Sequence, residues 1–158
     1  MKEDMSIISN AEPKKPFIII GDLAVDDRGE LMFTNQFDMK SVKRFYVVSN
    51  HKQGFIRAWH AHKLESKYVF IVNGTALIST VQIDDWNNPS SDLAIDKFVL
   101  TAKKPSILYI PNGYANGFKT LSSDTKIIFF STSTLGDSID DDYRFDAYKW
   151  NPWEIVER

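Results

Sequence analysis

The sequence predicts an all-β, single-domain protein built as an antiparallel sandwich or barrel. Three observations carry this expectation. Short runs rich in β-branched and aromatic residues follow one another along the chain, with turn-forming residues between them. No 3.6-residue apolar stripe bounded by caps is sustained anywhere. At 158 residues the chain is long enough for one domain with a sizeable core and too short for two ordinary ones.

The elements follow in order. Residues 1–15, polar and bearing Lys and Pro, read as a flexible lead-in, and residues 16–158 as the folded domain. The apolar run Phe17–Ile20 is the first strand, and Leu31–Thr34 the second, after the turn Asp26-Asp27-Arg28-Gly29. Lys43–Ser49, Arg57–Ala61, Lys67–Val72 and Thr75–Ile83 follow. Asn73-Gly74 between the last two is the strongest two-residue hairpin signal in the chain. After the break Asn87-Asn88-Pro89-Ser90 come Lys97–Leu100 and Ser106–Ile110. Beyond Pro111-Asn112-Gly113 come Asn116–Thr120 and Lys126–Ser131, and Leu135-Gly136-Asp137 reads as a break. The aromatic tail Tyr148–Trp153 is expected to pack back onto the barrel.

Bulk composition excludes several classes of function. Lys plus Arg number 19 and Asp plus Glu 21, with no basic tract, so there is no electrostatic reason to expect nucleic acid or an anionic membrane as a partner. The absence of cysteine removes disulfides, thiolate catalysis and zinc-thiolate sites, and it fits a cytoplasmic protein. The first sixteen residues lack the apolar centre of a signal peptide, and no apolar run approaches the length of a membrane span.

The stretch Gly54–Gly74 holds the chemistry. His60 and His62 are two residues apart, so on a strand they share a face. Histidine titrates near neutrality and can take a proton from carbon if the resulting charge is stabilised. Lys67 supplies a positive charge suited to an enolate oxygen, Arg57 a guanidinium suited to a diphosphate, and Tyr46 a hydroxyl that can donate or relay a proton.

The same stretch resembles the metal motif of the cupins, G-x5-H-x-H-x4-E-x6-G, with Lys67 at the glutamate position. In the second motif, P-x-G-x-x-H, Asn116 stands at the histidine position of Pro111–Asn116. A lysine cannot ligate a metal and an asparagine ligates poorly, so no metal is expected. A metal-dependent cupin enzyme would have to draw on His51, His60 and His62. The chain further resembles the cupin-type enzymes that remodel nucleotide-linked 4-keto-6-deoxy sugars. Ser41–Val48, His60-Ala61-His62-Lys63 and Asn73-Gly74 are similar to segments of thymidine-diphosphate-sugar 3,4-ketoisomerases. Asp27-Arg28-Gly29, Asn50-His51, Arg57, His60, Lys67 and Ile110–Phe118 are similar to segments of dTDP-4-dehydrorhamnose 3,5-epimerases.

The resemblance implies a cupin-type antiparallel jelly-roll barrel that acts on a nucleotide-diphosphate sugar without a cofactor. It also implies a homodimer with exchanged N-terminal strands. His60 and His62 would be the base and its shuttle, Tyr46 an acid, and Lys67 the partner of the enediolate. Arg28 and Arg57 would bind the diphosphate, Asn50 and Asn116 would line the substrate site, and Tyr114 or Phe118 would stack on base or sugar. The epimerases' catalytic tyrosine has no counterpart in Ser131–Leu135, and their histidine-holding aspartate has no match, which favours ketoisomerisation. Asp140, Asp141 or Asp142 is a candidate substitute for that orienting carboxylate, although the run reads first as a solvated acidic loop. The alternative from another class is a non-catalytic cupin that binds a sugar or sugar nucleotide.

Overall fold

The computed structural model describes residues 12–158. Of the expected lead-in, residues 1–11 lie outside the described residues, and residues 12–15 are exposed. Two five-stranded sheets face each other. One runs β1 (Phe17–Ile20), β9 (Ser106–Ile110), β6 (Lys67–Asn73), β11 (Lys126–Ser131), β4 (Arg44–Ser49). The other runs β12 (Tyr143–Arg144), β5 (Ile56–Ala61), β10 (Tyr114–Thr120), β7 (Thr75–Gln82), β8 (Ile95–Thr101). A separate ribbon pairs β2 (Asp22–Asp26) with β3 (Gly29–Phe33), and a one-turn helix, α1 (Leu135–Ile139), follows β11. Every strand pairing is antiparallel, as expected of a jelly roll. Among the described residues no helix is long and apolar enough to cross a membrane.

Alternation explains the inner core. On β6, Lys67, Val69 and Ile71 are buried, and on β4, Arg44, Tyr46 and Val48 turn inward while Phe45 and Val47 face out. Val69, Ile71, Ile78, Leu108, Phe118 and Phe129 meet between the sheets. Strand β7 does not alternate because both of its faces are covered. Ala76 and Ile78 enter the inter-sheet core, and Leu77 and Val81 pack under the C-terminal tail with Trp59, Trp150 and Trp153. The three indoles are satisfied by backbone carbonyls: Trp59 Nε1 donates to Trp150 O at 3.1 Å, Trp150 Nε1 to Ser90 O at 2.9 Å, and Trp153 Nε1 to Ala147 O at 2.7 Å. Truncating a ring buried in this way costs about 3–5 kcal/mol. The tail therefore packs back as expected through Trp150 and Trp153, whereas Tyr148 stays exposed.

Asn73-Gly74 is not a hairpin. β6 pairs with β9 and β11, while β7 pairs with β8 and β10, so the dipeptide turns the chain from one sheet to the other. Gly74 has φ +80°, and a Cβ there would lie 2.5 Å from Thr125 Oγ1, so the corner needs a glycine for reasons of both angle and space. The strand β2 was not anticipated, because its aspartate ends look like turn. The helix α1 forms where a break was expected: Thr134 caps it by accepting from the Asp137 N–H at 3.2 Å.

Candidate active site

Strands from both sheets deliver their inward side chains to one cavity of about 310 Å³ at the barrel mouth. Arg44, Tyr46 and Lys67 come from one sheet, and His60 and His62 from the other. The four residues expected to carry catalysis are thus brought together. His60 and His62 share the inner face, with Trp59 and Ala61 on the outer one.

Arg57 lies three residues before His60, which on a regular strand would put it on the opposite face. A β-bulge cancels that. Against β10, His60 opposes Asn116 and Arg57 opposes Phe118, so β5 spends one extra residue over this interval. Ala58 and Trp59 both turn to the outer side, and Arg57 shares the inner face with His60. Gly117 makes this possible, since a Cβ there would lie 2.4 Å from that of Ala58. Arg57 Nε donates to Asn50 Oδ1 at 2.9 Å, and Asn50 Nδ2 donates to Phe55 O at 3.0 Å, so Asn50 aims the guanidinium.

The two histidines are held differently. His62 Nδ1 lies 2.5 Å from the Asp141 carbonyl oxygen, which can only accept. Nδ1 therefore carries the proton and Nε2 the lone pair, and Nε2 is buried with no protein partner. Burial, with the charge of Lys67, lowers the His62 pKa. His60 Nδ1 lies 4.0 Å from Asp142 Oδ1, which itself takes two donors from Arg144 through Oδ2, at 3.0 and 2.9 Å. Burial, then Lys67, pushes the His60 pKa down to about 4. Both imidazoles are neutral at pH 7.

Burial lowers Lys67, with Glu65 opposing, and its ammonium lies 5.9 Å from the ring centres of Tyr46 and Phe129. Burial and the Glu65 charge push Tyr46 up to about 12, so it is a protonated donor.

Other expected residues lie elsewhere. Arg28 sits at the tip of the β2–β3 ribbon, 85% exposed and paired with Asp26, outside this cavity. Tyr114 and Phe118 are core residues rather than stacking platforms, because their inward register drives them between the sheets. Asn116 is buried and donates to the His60 carbonyl at 3.1 Å, which ties β10 to β5. The acidic loop is only partly solvated. Asp141 is buried, and its carboxylate accepts the backbone N–H groups of Lys63, Leu64 and Glu65 at 2.7, 2.9 and 3.1 Å. His51 is exposed, and among the described residues no three His, Asp or Glu converge as a metal-holding group. Sequence reasoning missed Glu65, Arg44 and Ser138 at this cavity. The available signal was an acid three residues after a candidate histidine.

The fold is a cupin-type antiparallel jelly roll with a histidine-lined cavity at its mouth. The chain belongs to the dTDP-4-dehydrorhamnose 3,5-epimerase family, whose sequence profile matches residues 16–149. It is 25% identical over 132 residues to the spore coat polysaccharide biosynthesis protein SpsL of Bacillus subtilis, covering 82% of each chain. The dTDP-4-dehydrorhamnose 3,5-epimerase of Bacillus anthracis, solved with TDP and pyrophosphate bound, shares the fold at TM-score 0.72 and 21% identity, over 90% of this chain and 86% of that one. The sugar 3,4-ketoisomerase QdtA of Thermoanaerobacterium thermosaccharolyticum, solved with TDP, shares it at TM-score 0.63 and 17% identity, over 86% and 92%. The family match supports an epimerase or isomerase of dTDP-sugars, and the fold neighbours share its architecture.

Proposed function

We propose that the protein is a cofactor-independent 3,4-ketoisomerase of a dTDP-linked 4-keto-6-deoxy sugar in polysaccharide synthesis. The observation that carries this reading is the free, buried Nε2 of His62 in one cavity with Lys67 and Tyr46. His62 Nε2 takes the C3 proton. The electron pair moves through C4 to O4, and the Lys67 ammonium stabilises the enediolate. Tyr46, a protonated phenol, passes a proton from O3 to O4, with His60 as relay, and C4 receives a proton in return. The C4 ketone becomes an alcohol and C3 becomes the ketone, with no net redox change. Arg57, aimed by Asn50, holds the diphosphate. Arg28 reaches it if the β2–β3 ribbon of a second copy closes over the mouth, in the homodimer that the family resemblance implies.

The test is incubation of the full chain with dTDP-4-keto-6-deoxyglucose in deuterated water, followed by NMR. A 3-keto product with deuterium at C4, and deuterium at C3 of the recovered 4-keto substrate, are expected. Exchange at C3 and C5 without ketone migration would make it an epimerase. Binding without exchange would favour the non-catalytic reading.

A further inference from the structure

One buried acid in this cavity has no task in that scheme. Glu65 lies three residues after His62, in the turn before β6, and its side chain has no exposure to solvent. A carboxylate withdrawn from water destabilises a fold unless its oxygens are engaged. Oε1 accepts from the Ser131 hydroxyl and from Arg44 Nη2, the latter at 3.3 Å. Oε2 accepts from the Ser138 hydroxyl at 3.4 Å and lies 3.2 Å from His62 Nδ1. Arg44 is itself held by Ser138 Oγ at 2.9 Å and the Ser133 carbonyl at 3.2 Å. Donors from β4, β11 and α1 thus converge on one acid, and that acid's remaining contact is the imidazole. An apolar residue would seal this seam at less cost in desolvation, so the arrangement points to work done on His62.

We propose that Glu65 is the positioning carboxylate of His62. It shares the Nδ1 proton with the Asp141 carbonyl, holds Nε2 toward the cavity, and stabilises the imidazolium formed when Nε2 takes a proton. It fills, from the turn after β5, the orienting place that Asp141 leaves open, because the Asp141 carboxylate is taken up by the backbone N–H groups of residues 63–65. The proposal rests on reading His62 as the base. The other charges facing that ring are Lys67 on β6 and His60 on β5, which oppose its protonation, and Asp141 and Asp142 before β12, which favour it.

Glu65→Gln keeps the shape and removes the charge. With three histidines in the chain, imidazole ¹⁵N NMR on the full-length protein is assignable by difference, His62→Asn identifying the His62 signals. Wild type should show His62 as the neutral Nδ1–H tautomer. In Glu65→Gln the titration of His62 should move to lower pH while the Asp141 carbonyl keeps the Nδ1–H tautomer, with the His60 signals little changed. With the 4-keto substrate, kcat should fall about tenfold to a hundredfold, the range for carboxylates that orient metal-bound histidines, while KM stays nearly constant. Glu65→Asp should recover part of both. A folded Glu65→Gln with wild-type His62 signals would overturn the proposal. So would wild-type kcat in an active enzyme. If Glu65→Gln does not fold, Ser138→Ala, which strips one donor from Oε2, should raise the His62 titration, and no movement there is equally fatal. If the wild type turns over no 4-keto sugar nucleotide, the isomerase reading fails, yet the NMR arm still decides whether Glu65 governs the His62 proton.

Discussion

His62 and His60 stand two residues apart on one face, yet the cavity wall around the first and the rim around the second are built on opposite principles. His62 is buried, with Nδ1 bracketed by a backbone carbonyl at 2.5 Å and a carboxylate at 3.2 Å. His60 has a side chain 37% exposed, and its carboxylate, Asp142, stands 4.0 Å away and 32% exposed. Water competes for every contact His60 makes and for almost none that His62 makes. A pair of histidines that looks symmetric in sequence thus becomes one with an enforced tautomer and one free to turn. A base needs the first property and a relay needs the second.

The largest test of this asymmetry is to remove each ring. His62→Asn should lower turnover by about 10²–10⁴-fold, the contribution of a positioned base, and His60→Asn by distinctly less, measured as kcat on the 4-keto substrate with melting curves as control. Equal losses would erase the distinction. Next is the clamp on the buried side. Asp141→Ala strands the N–H groups of Lys63, Leu64 and Glu65, so denaturant titration should show a loss of about 1.5–3 kcal/mol, the range for hydrogen bonds to a charged group.

Proton concentration sharpens the comparison from the other side. His60 is held at about 4 against an ordinary 6.5, so between those values the unfolded chain binds a proton that the folded chain refuses. This group costs no stability above pH 6.5 and lowers it as the pH drops toward 4; in acid the melts of the wild type should fall relative to those of His60→Asn. The acid limb of kcat should lie below 6.5, because His62 is also lowered. The smallest effect belongs to the rim: Asp142→Asn loosens an exposed pair with Arg144 and should change stability by at most about 1 kcal/mol.

The shared face of His60 and His62 and the inward Lys67 were legible because strand alternation is local. So were ten strands, within a few residues at their ends. What was not legible depends on partners distant in sequence. Asn73-Gly74 has every local property of a hairpin, but it is the sheet assignment of β7 that decides its geometry. Asp141 belongs to a run of three acids that resembles a solvated loop, and only the backbone N–H groups of residues 63–65 make it a buried anchor. Tyr114 and Phe118 look like stacking surfaces until β10 is given a register that turns them into the core.

The bulge in β5 acts as a shift of reading frame within a strand. Before it, the odd-numbered Arg57 takes the inner side of the sheet; after it, the even-numbered His60 does. Neither frame carried through the whole strand would turn Arg57 and the imidazole pair to the same side of the sheet. The insertion of a single small residue, accommodated by the absence of a side chain at Gly117, joins two otherwise incompatible half-strands into one working edge. It also uncouples them: either half can drift in sequence, within its own parity, without turning the other to the opposite face.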